Sequence, residues 1–143
     1  MTVDEERMEM LPKLVNTYQN HHLDSTRWER YQPRAGDIVI STSIRSGTAW
    51  TQQIVRQLIL WDQPDVILER TPQMDASPWL EHPGVPLDAV IDLLEAQQHR
   101  RFIKTHLPLD GLPYYPQVRY IVVGRDARDV FMSFFNFYAN FSE

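Results

Sequence analysis

The run Ser41-Thr42-Ser43-Ile44-Arg45-Ser46-Gly47-Thr48-Ala49-Trp50 gathers hydroxyl residues, a cation and a glycine into one short stretch. Before it, Asp37-Ile38-Val39-Ile40-Ser41 reads as a short buried strand, and a helix is expected to open near Thr48. A strand–loop–helix junction aims backbone N–H groups and the positive helix end at one spot, which suits a phosphate or a similar anion. Gly47 permits close backbone approach, Ser46 and Thr48 add hydroxyl donors, and Arg45 adds a fixed positive charge. The triphosphate-binding pattern Gly-x-x-x-x-Gly-Lys-Ser/Thr is absent. The same residues also fit a plain strand–helix turn with Ser46 as N-cap.

Two further groups could do chemistry. Lys104-Thr105-His106-Leu107-Pro108 follows a short strand candidate, Arg101-Phe102-Ile103-Lys104. In open α/β sheets ligands sit beyond the carboxyl ends of strands. A histidine there is a candidate general base, and a lysine two residues away can stabilise developing negative charge. The alternative is a surface His and Lys before a proline turn. Arg125 ends a stronger strand candidate, Val118–Val123, and Ser133 falls about two helical turns further on. An arginine fork can clamp a phosphate at two points. Alternatively Arg125 pairs with Asp126 or Asp129, and Ser133 is a small residue at a helix–sheet contact.

These groups need elements to hold them. The helix after Gly47 carries an apolar stripe of Trp50, Ile54, Val55, Leu58 and Trp61, which predicts that Gln52, Gln53 and Arg56 face outward. Residues 62–86 hold five prolines and read as an extended loop. Pro86 starts a second amphipathic helix with Leu87, Val90, Ile91 and Leu94 on one stripe. Asp126 can cap the last helix, whose apolar residues run nearly all round, so burial on most sides is expected. Residues 1 to about 30 read as a polar leader, with a short helix around Glu5–Tyr18 from the spacing of Met8, Leu11, Val15 and Tyr18. Strands alternating with helices predict an α/β fold with a parallel sheet and flanking helices, in a single domain over 1–143.

Composition narrows the class. A chain of 143 residues suits one domain. A net charge of −5 argues against nucleic acid as a partner, while late basic residues (Arg100, Arg101, Lys104, Arg119, Arg125, Arg128) leave room for a local anion site. The absence of cysteine excludes disulfides and thiolate catalysis. The greasiest run, Ile54 to Trp61, is short and interrupted by Arg56 and Gln57, so no membrane span is expected and a cytoplasmic protein is the default. No metal is expected, since the histidines show neither His-x-His nor His-Glu-x-x-His spacing.

Taken together the three groups resemble the cytosolic-type sulfotransferase family. Arg45-Ser46-Gly47-Thr48-Ala49-Trp50 is similar to the family's 5′-phosphosulfate loop, usually Lys-Ser-Gly-Thr-Thr-Trp. Lys104-Thr105-His106-Leu107-Pro108 matches the family's Lys-Thr-His-Leu-Pro. Gly124 to Phe135 resembles the 3′-phosphate segment, and Pro78-Trp79-Leu80-Glu81 the acceptor-pocket Pro-Phe-Leu-Glu. The resemblance covers roughly Asp37 to Phe137. It implies a fold like that of nucleotide kinases and transfer of a sulfuryl group from 3′-phosphoadenosine 5′-phosphosulfate (PAPS) to a hydroxyl or amine of a small-molecule acceptor. It implies that Arg45, Ser46, Gly47, Thr48 and Ala49 hold the 5′-phosphosulfate, with Trp50 stacked on the adenine or packed in its helix stripe. Arg125 and Ser133 would hold the 3′-phosphate, His106 would take the acceptor's proton, and Lys104 and Arg45 would stabilise the transferring and leaving groups. Trp79 and Phe137 would touch the acceptor, or be core aromatics.

Arg45 departs from the family's lysine; it can stabilise the leaving phosphate but, staying protonated, cannot give it a proton. The chain stops at Glu143, about half the usual family length, without the later Arg-Lys-Gly segment and the C-terminal dimerisation motif. It is therefore expected to bind PAPS weakly and to expose an apolar patch near Phe131, Phe134, Phe135 and Tyr138. A homo-oligomer stays open, as does the acceptor. The rival readings are a non-catalytic nucleotide-binding remnant and a nucleotide kinase, which ATP and magnesium dependence would reveal.

Overall fold

A computed structural model describes residues 11–63 and 77–140. Strand β1 (Ile38–Thr42) is the middle of a sheet ordered β2-β1-β3, with β2 (Phe102–Thr105) and β3 (Arg119–Val123) on either side. Both pairings are parallel, with Ile38 opposite Phe102 and Arg119. Helix α1 (Thr48–Ile59) follows β1, α2 (Leu87–Ala96) precedes β2, and α3 (Ala127–Ala139) follows β3. The Ile-Val-Ile-Ser-Thr run of β1 is buried at every position, as a central parallel strand with both faces covered must be. Its alternate side chains serve two cores. Val39 and Ile103 join Trp28, Leu80, Val90 and Leu94 on one face; Ile38, Ile40 and Phe102 meet Val55 of α1 on the other. No helix among the described residues is long and apolar enough to cross a membrane.

Three sequence expectations are corrected. The face of α1 that meets the sheet is Gln52, Val55 and Arg56, all buried, while Trp50, Ile54, Leu58 and Trp61 are exposed. The rotation of α1 is set by its entry. The Thr48 hydroxyl lies 2.6 Å from that of Thr42 at the end of β1, so the first turn is pinned to the sheet before any stripe can choose its partner. Helix α3 has its capping Asp126, whose side chain accepts from the Arg128 amide, but buries none of its residues. Phe131, Phe135 and Tyr138 are more than half exposed, the patch anticipated for this chain, with Phe134 partly covered and stacked on Tyr138.

The third correction concerns the N-terminal segment. Residues 5–10 of the expected Glu5–Tyr18 helix lie outside the described residues, and 11–18 are not helical. Instead the Val15 and Asn16 amides donate to the Asp110 carbonyl, and the Tyr18 hydroxyl donates to the Asp110 carboxylate at 2.9 Å. Long-range hydrogen bonds win over a weak local periodicity here. Gly111 is needed for the approach, since a Cβ there would stand 2.5 Å from the Tyr18 ring. What reads as a polar leader goes on to supply core: a 3-10 turn at Ser25–Arg30, capped by Asp24, buries Trp28. Of the prolines in the extended loop, the part at 64–76 lies outside the described residues; the rest of that run begins at Ser77.

The amino ends of β1 and β2 are locked by a buried ion pair. Arg101, just before β2, donates from Nε and Nη2 to Asp37, just before β1, at 3.0 and 2.5 Å, and both side chains are nearly inaccessible. Arg101 also donates to Glu95 and to the Gln32 carbonyl, and Arg100 to the Gly36 carbonyl. These two members of the late basic group are thus consumed at the end of the sheet opposite the strand–helix loop.

Candidate active site

The loop from β1 to α1 is shaped by its own small side chains. The Ser43 and Ser46 hydroxyls share a hydrogen bond of 2.5 Å, and the Ser46 amide donates to the Ser43 carbonyl. Arg45 and Gly47 both take left-handed backbone, with φ of 65° and 95°. That pair of reversals brings the chain round so that α1 starts at Thr48, leaving the amides of its first turn without helical acceptors. A Cβ at Gly47 would meet nothing within 4 Å, so the loop is open on that side. Gly47→Ala is expected to lower the unfolding free energy by about 1–3 kcal/mol through backbone strain alone. Urea melting checks this, and an unchanged midpoint would contradict the left-handed assignment.

A cavity of about 400 Å³ opens against this loop, lined by Ile44, Arg45, Gly47, Thr48, Ala49, Trp50, His106, Arg125 and Ser133. Residues from three strand ends therefore meet in one hollow. The Arg45 Nε donates to the Ser133 hydroxyl at 3.0 Å, and its guanidinium lies 4.7 Å from the centre of the Phe137 ring. Arg125 donates to the Arg45 carbonyl at 3.0 Å and stands only loosely, at 4.0 Å, from Asp129. The cavity thus carries two guanidinium groups and two hydroxyls beside free helix amides, a set that fits an anionic group with several oxygens.

His106 is held in a definite tautomer. Its Nδ1 lies 2.8 Å from the Thr42 carbonyl, which can only accept, so Nδ1 bears the proton and Nε2 keeps a lone pair. Burial pushes the imidazole below its ordinary pKa, the effect of nearby Lys104 having the same sign and those of the Thr42 bond and Glu81 the opposite one. Burial also lowers Lys104, partly offset by Glu81. The Lys104 Nζ sits 4.6 Å from the centre of the Trp79 ring. Trp79 meets His106 edge-on at 5.0 Å and stacks on His82.

Most sequence-predicted residues come together, and four (Ser46, Lys104, Trp79 and Phe137) do not line the hollow. Ser46 is buried, with its hydroxyl turned into the loop toward Ser43. Lys104 points toward Trp79 rather than onto the cavity wall. Trp50 is not packed in a helix stripe; it is largely exposed at the cavity's mouth. Trp79 lies on the His106 side, and Phe137 lies in a neighbouring hollow with Arg45 and Asn136. Sequence reasoning assigned no role to Thr42, whose only signal is its place as the last strand residue before the loop. It assigned none to Glu81 either, a fully buried carboxylate that accepts from the His106 amide at 2.7 Å.

A parallel sheet with an anion-fitting strand–loop–helix junction at its carboxyl end defines this chain as an open α/β protein. The model of the sulfotransferase domain family matches residues 35–143, and this chain belongs to that family. It is 46% identical over 126 residues to a glycolipid sulfotransferase of Mycobacterium tuberculosis, a match covering 88% of this chain and 37% of that protein. It is 34% identical over 137 residues to mouse sulfotransferase 1B1, covering 87% of this chain and 44% of the relative. The chain thus spans less than half the length of these relatives. Among solved structures, retinol dehydratase in complex with retinol and PAP aligns with a TM-score of 0.56 at 24% identity, over 74% of this chain and 40% of that one, and shares the fold.

Proposed function

We propose that this chain binds PAPS in the cavity beside the Arg45–Trp50 loop and carries the base for sulfuryl transfer to a small-molecule hydroxyl or amine. The carrying observation is the single hollow in which the loop, Arg125, Ser133 and His106 meet. When bound, PAPS supplies a sulfuryl group on a phosphate leaving group: the acceptor oxygen or nitrogen bonds to sulfur as the sulfur–phosphate oxygen bond breaks, and the electron pair leaves with the phosphate. The α1 amides, Gly47 and Thr48 hold the 5′ end, and Arg125 and Ser133 the 3′-phosphate. Trp50, exposed at the mouth, offers its ring to the adenine. His106 Nε2 takes the acceptor's proton, while Thr42 holds the ring from behind. Arg45 neutralises the departing charge once its guanidinium leaves Ser133 for the incoming anion. Lys104 acts through the field it sets up beside Trp79 and His106. Positioning and charge carry most of the work, as in phosphoryl transfer.

The test is transfer of labelled sulfate from PAPS to a panel of acceptors, with a glycolipid hydroxyl first because of the mycobacterial relative. Burial keeps His106 neutral at lower pH than the ordinary value of about 6.5. The rate is therefore expected to be flat through neutral pH and to fall on an acid limb centred below about 6.5, as Nε2 becomes protonated. A limb centred above about 7 would contradict this base. Binding of PAP without any transfer would instead favour a nucleotide-binding role.

A further inference from the structure

Glu81 has no exposed surface and no cationic hydrogen-bond partner, yet every group directed at it is a donor. Its Oε1 accepts from the Trp79 indole at 2.6 Å, the His106 amide at 2.7 Å and the Thr105 hydroxyl at 2.9 Å. Its Oε2 accepts from the Trp28 indole at 3.0 Å. A shell made only of donors selects an acceptor-only group, so a carboxylate fits and an amide leaves one donor facing an NH₂. Burial of a charge is costly, and four hydrogen bonds of this kind, with the nearby Lys104 ammonium, are what makes it tolerable.

The arrangement also has a direction. Oε2 reaches back to Trp28 in the core, whereas Oε1 reaches forward to the backbone of His106 and the ring of Trp79 that meets it edge-on. One oxygen thus fixes the chain at His106 and the aromatic beside it. The Thr105 hydroxyl donates to Glu81 and accepts from the Leu107 amide, clamping the residues on both sides of His106.

We propose that Glu81 is the positioning residue of this site: through Oε1 it holds His106 and Trp79 in fixed relation and anchors both to the core through Trp28. Its importance for transfer rests on the reading of His106 as the base; its effect on His106 itself does not. Two charged groups act on the imidazole, Glu81 from the 77–86 run and Lys104 from β2, and two more, Arg45 and Arg125, line the cavity it faces. Glu81 is the anion among them, so its loss disfavours the imidazolium.

The test is NMR of the 143-residue chain, following the ring nitrogens and the backbone amide of His106 through a pH titration in Glu81→Gln, with Leu94→Ala, buried in the same core but not bonded to Glu81, as the control for general loosening. In Glu81→Gln the titration midpoint of His106 is expected to move to lower pH, and its amide proton to shift upfield as a bond to a charged acceptor becomes one to a neutral amide. Glu81→Asp keeps the charge but withdraws it by one methylene; it should move both in the same direction by less, and it decides the matter if the Gln variant does not fold. Leu94→Ala should leave both in place. A His106 midpoint and amide unchanged by the Glu81 substitutions, or moved equally by Leu94→Ala, would overturn the proposal. PAP titration of the wild-type chain is read separately: its failure would count against the donor site and leave the assignment of Glu81 standing on the NMR result.

Discussion

Replacing His106 with alanine is expected to cut turnover by about two to four orders of magnitude in a chain that supports transfer, with little change in affinity for PAP. The split follows from the geometry. The Thr42 carbonyl occupies Nδ1, so the only basic nitrogen is Nε2, and the variant removes it outright. The loop, Arg125 and Ser133, which hold the donor in the proposed function, are untouched. Steady-state kinetics beside calorimetry with PAP checks both halves. Near-normal turnover would remove His106 from the role of base, and a parallel collapse of PAP affinity would make it a donor-binding residue instead.

The second large effect is on stability. Arg101→Ala is expected to lower the unfolding free energy by about 3–5 kcal/mol, because it strands Asp37 as a buried charge. Burial alone would raise the Asp37 pKa, but the hydrogen bonds from Arg101 and Tyr31 outweigh it and hold the carboxyl below its ordinary range. The sign is that of a depressed acid: this stability is present above about 3.9 and is lost as pH falls through the lower folded value. By contrast Arg30→Ala, which breaks an exposed pair with Asp88, should cost under about 1 kcal/mol. Urea unfolding of the two variants compares them directly, and equal losses would contradict the assignment of the buried pair as the lock on the strand ends.

The parts of this molecule that were legible in its sequence are those governed by local rules. β1 and β3 are apolar and rich in β-branched residues, and each runs into a turn signal, so their existence and order could be read, and with them the parallel sheet. The junction at Gly47 was legible because a small-residue loop between a strand and a helix has few other uses. The rotation of α1 was not, since an amphipathic pattern shows which side is apolar but not which side the connection turns toward the sheet. The N-terminal segment misled because its hydrogen-bond partner, Asp110, is far away in sequence. The role of Glu81 was hidden for a related reason. The residue stood in the Pro78–Glu81 stretch that resembles the acceptor-pocket motif, but only folding brings Trp28, Thr105 and His106 to its two oxygens.

The most direct test of the central claim is a calorimetric titration of PAP into the 143-residue chain and into Arg125→Ala. The account predicts saturable one-to-one binding to the wild-type chain, weakened at least about tenfold by loss of the fork on the 3′-phosphate. No binding to the wild-type chain, or the same affinity in Arg125→Ala, would contradict it.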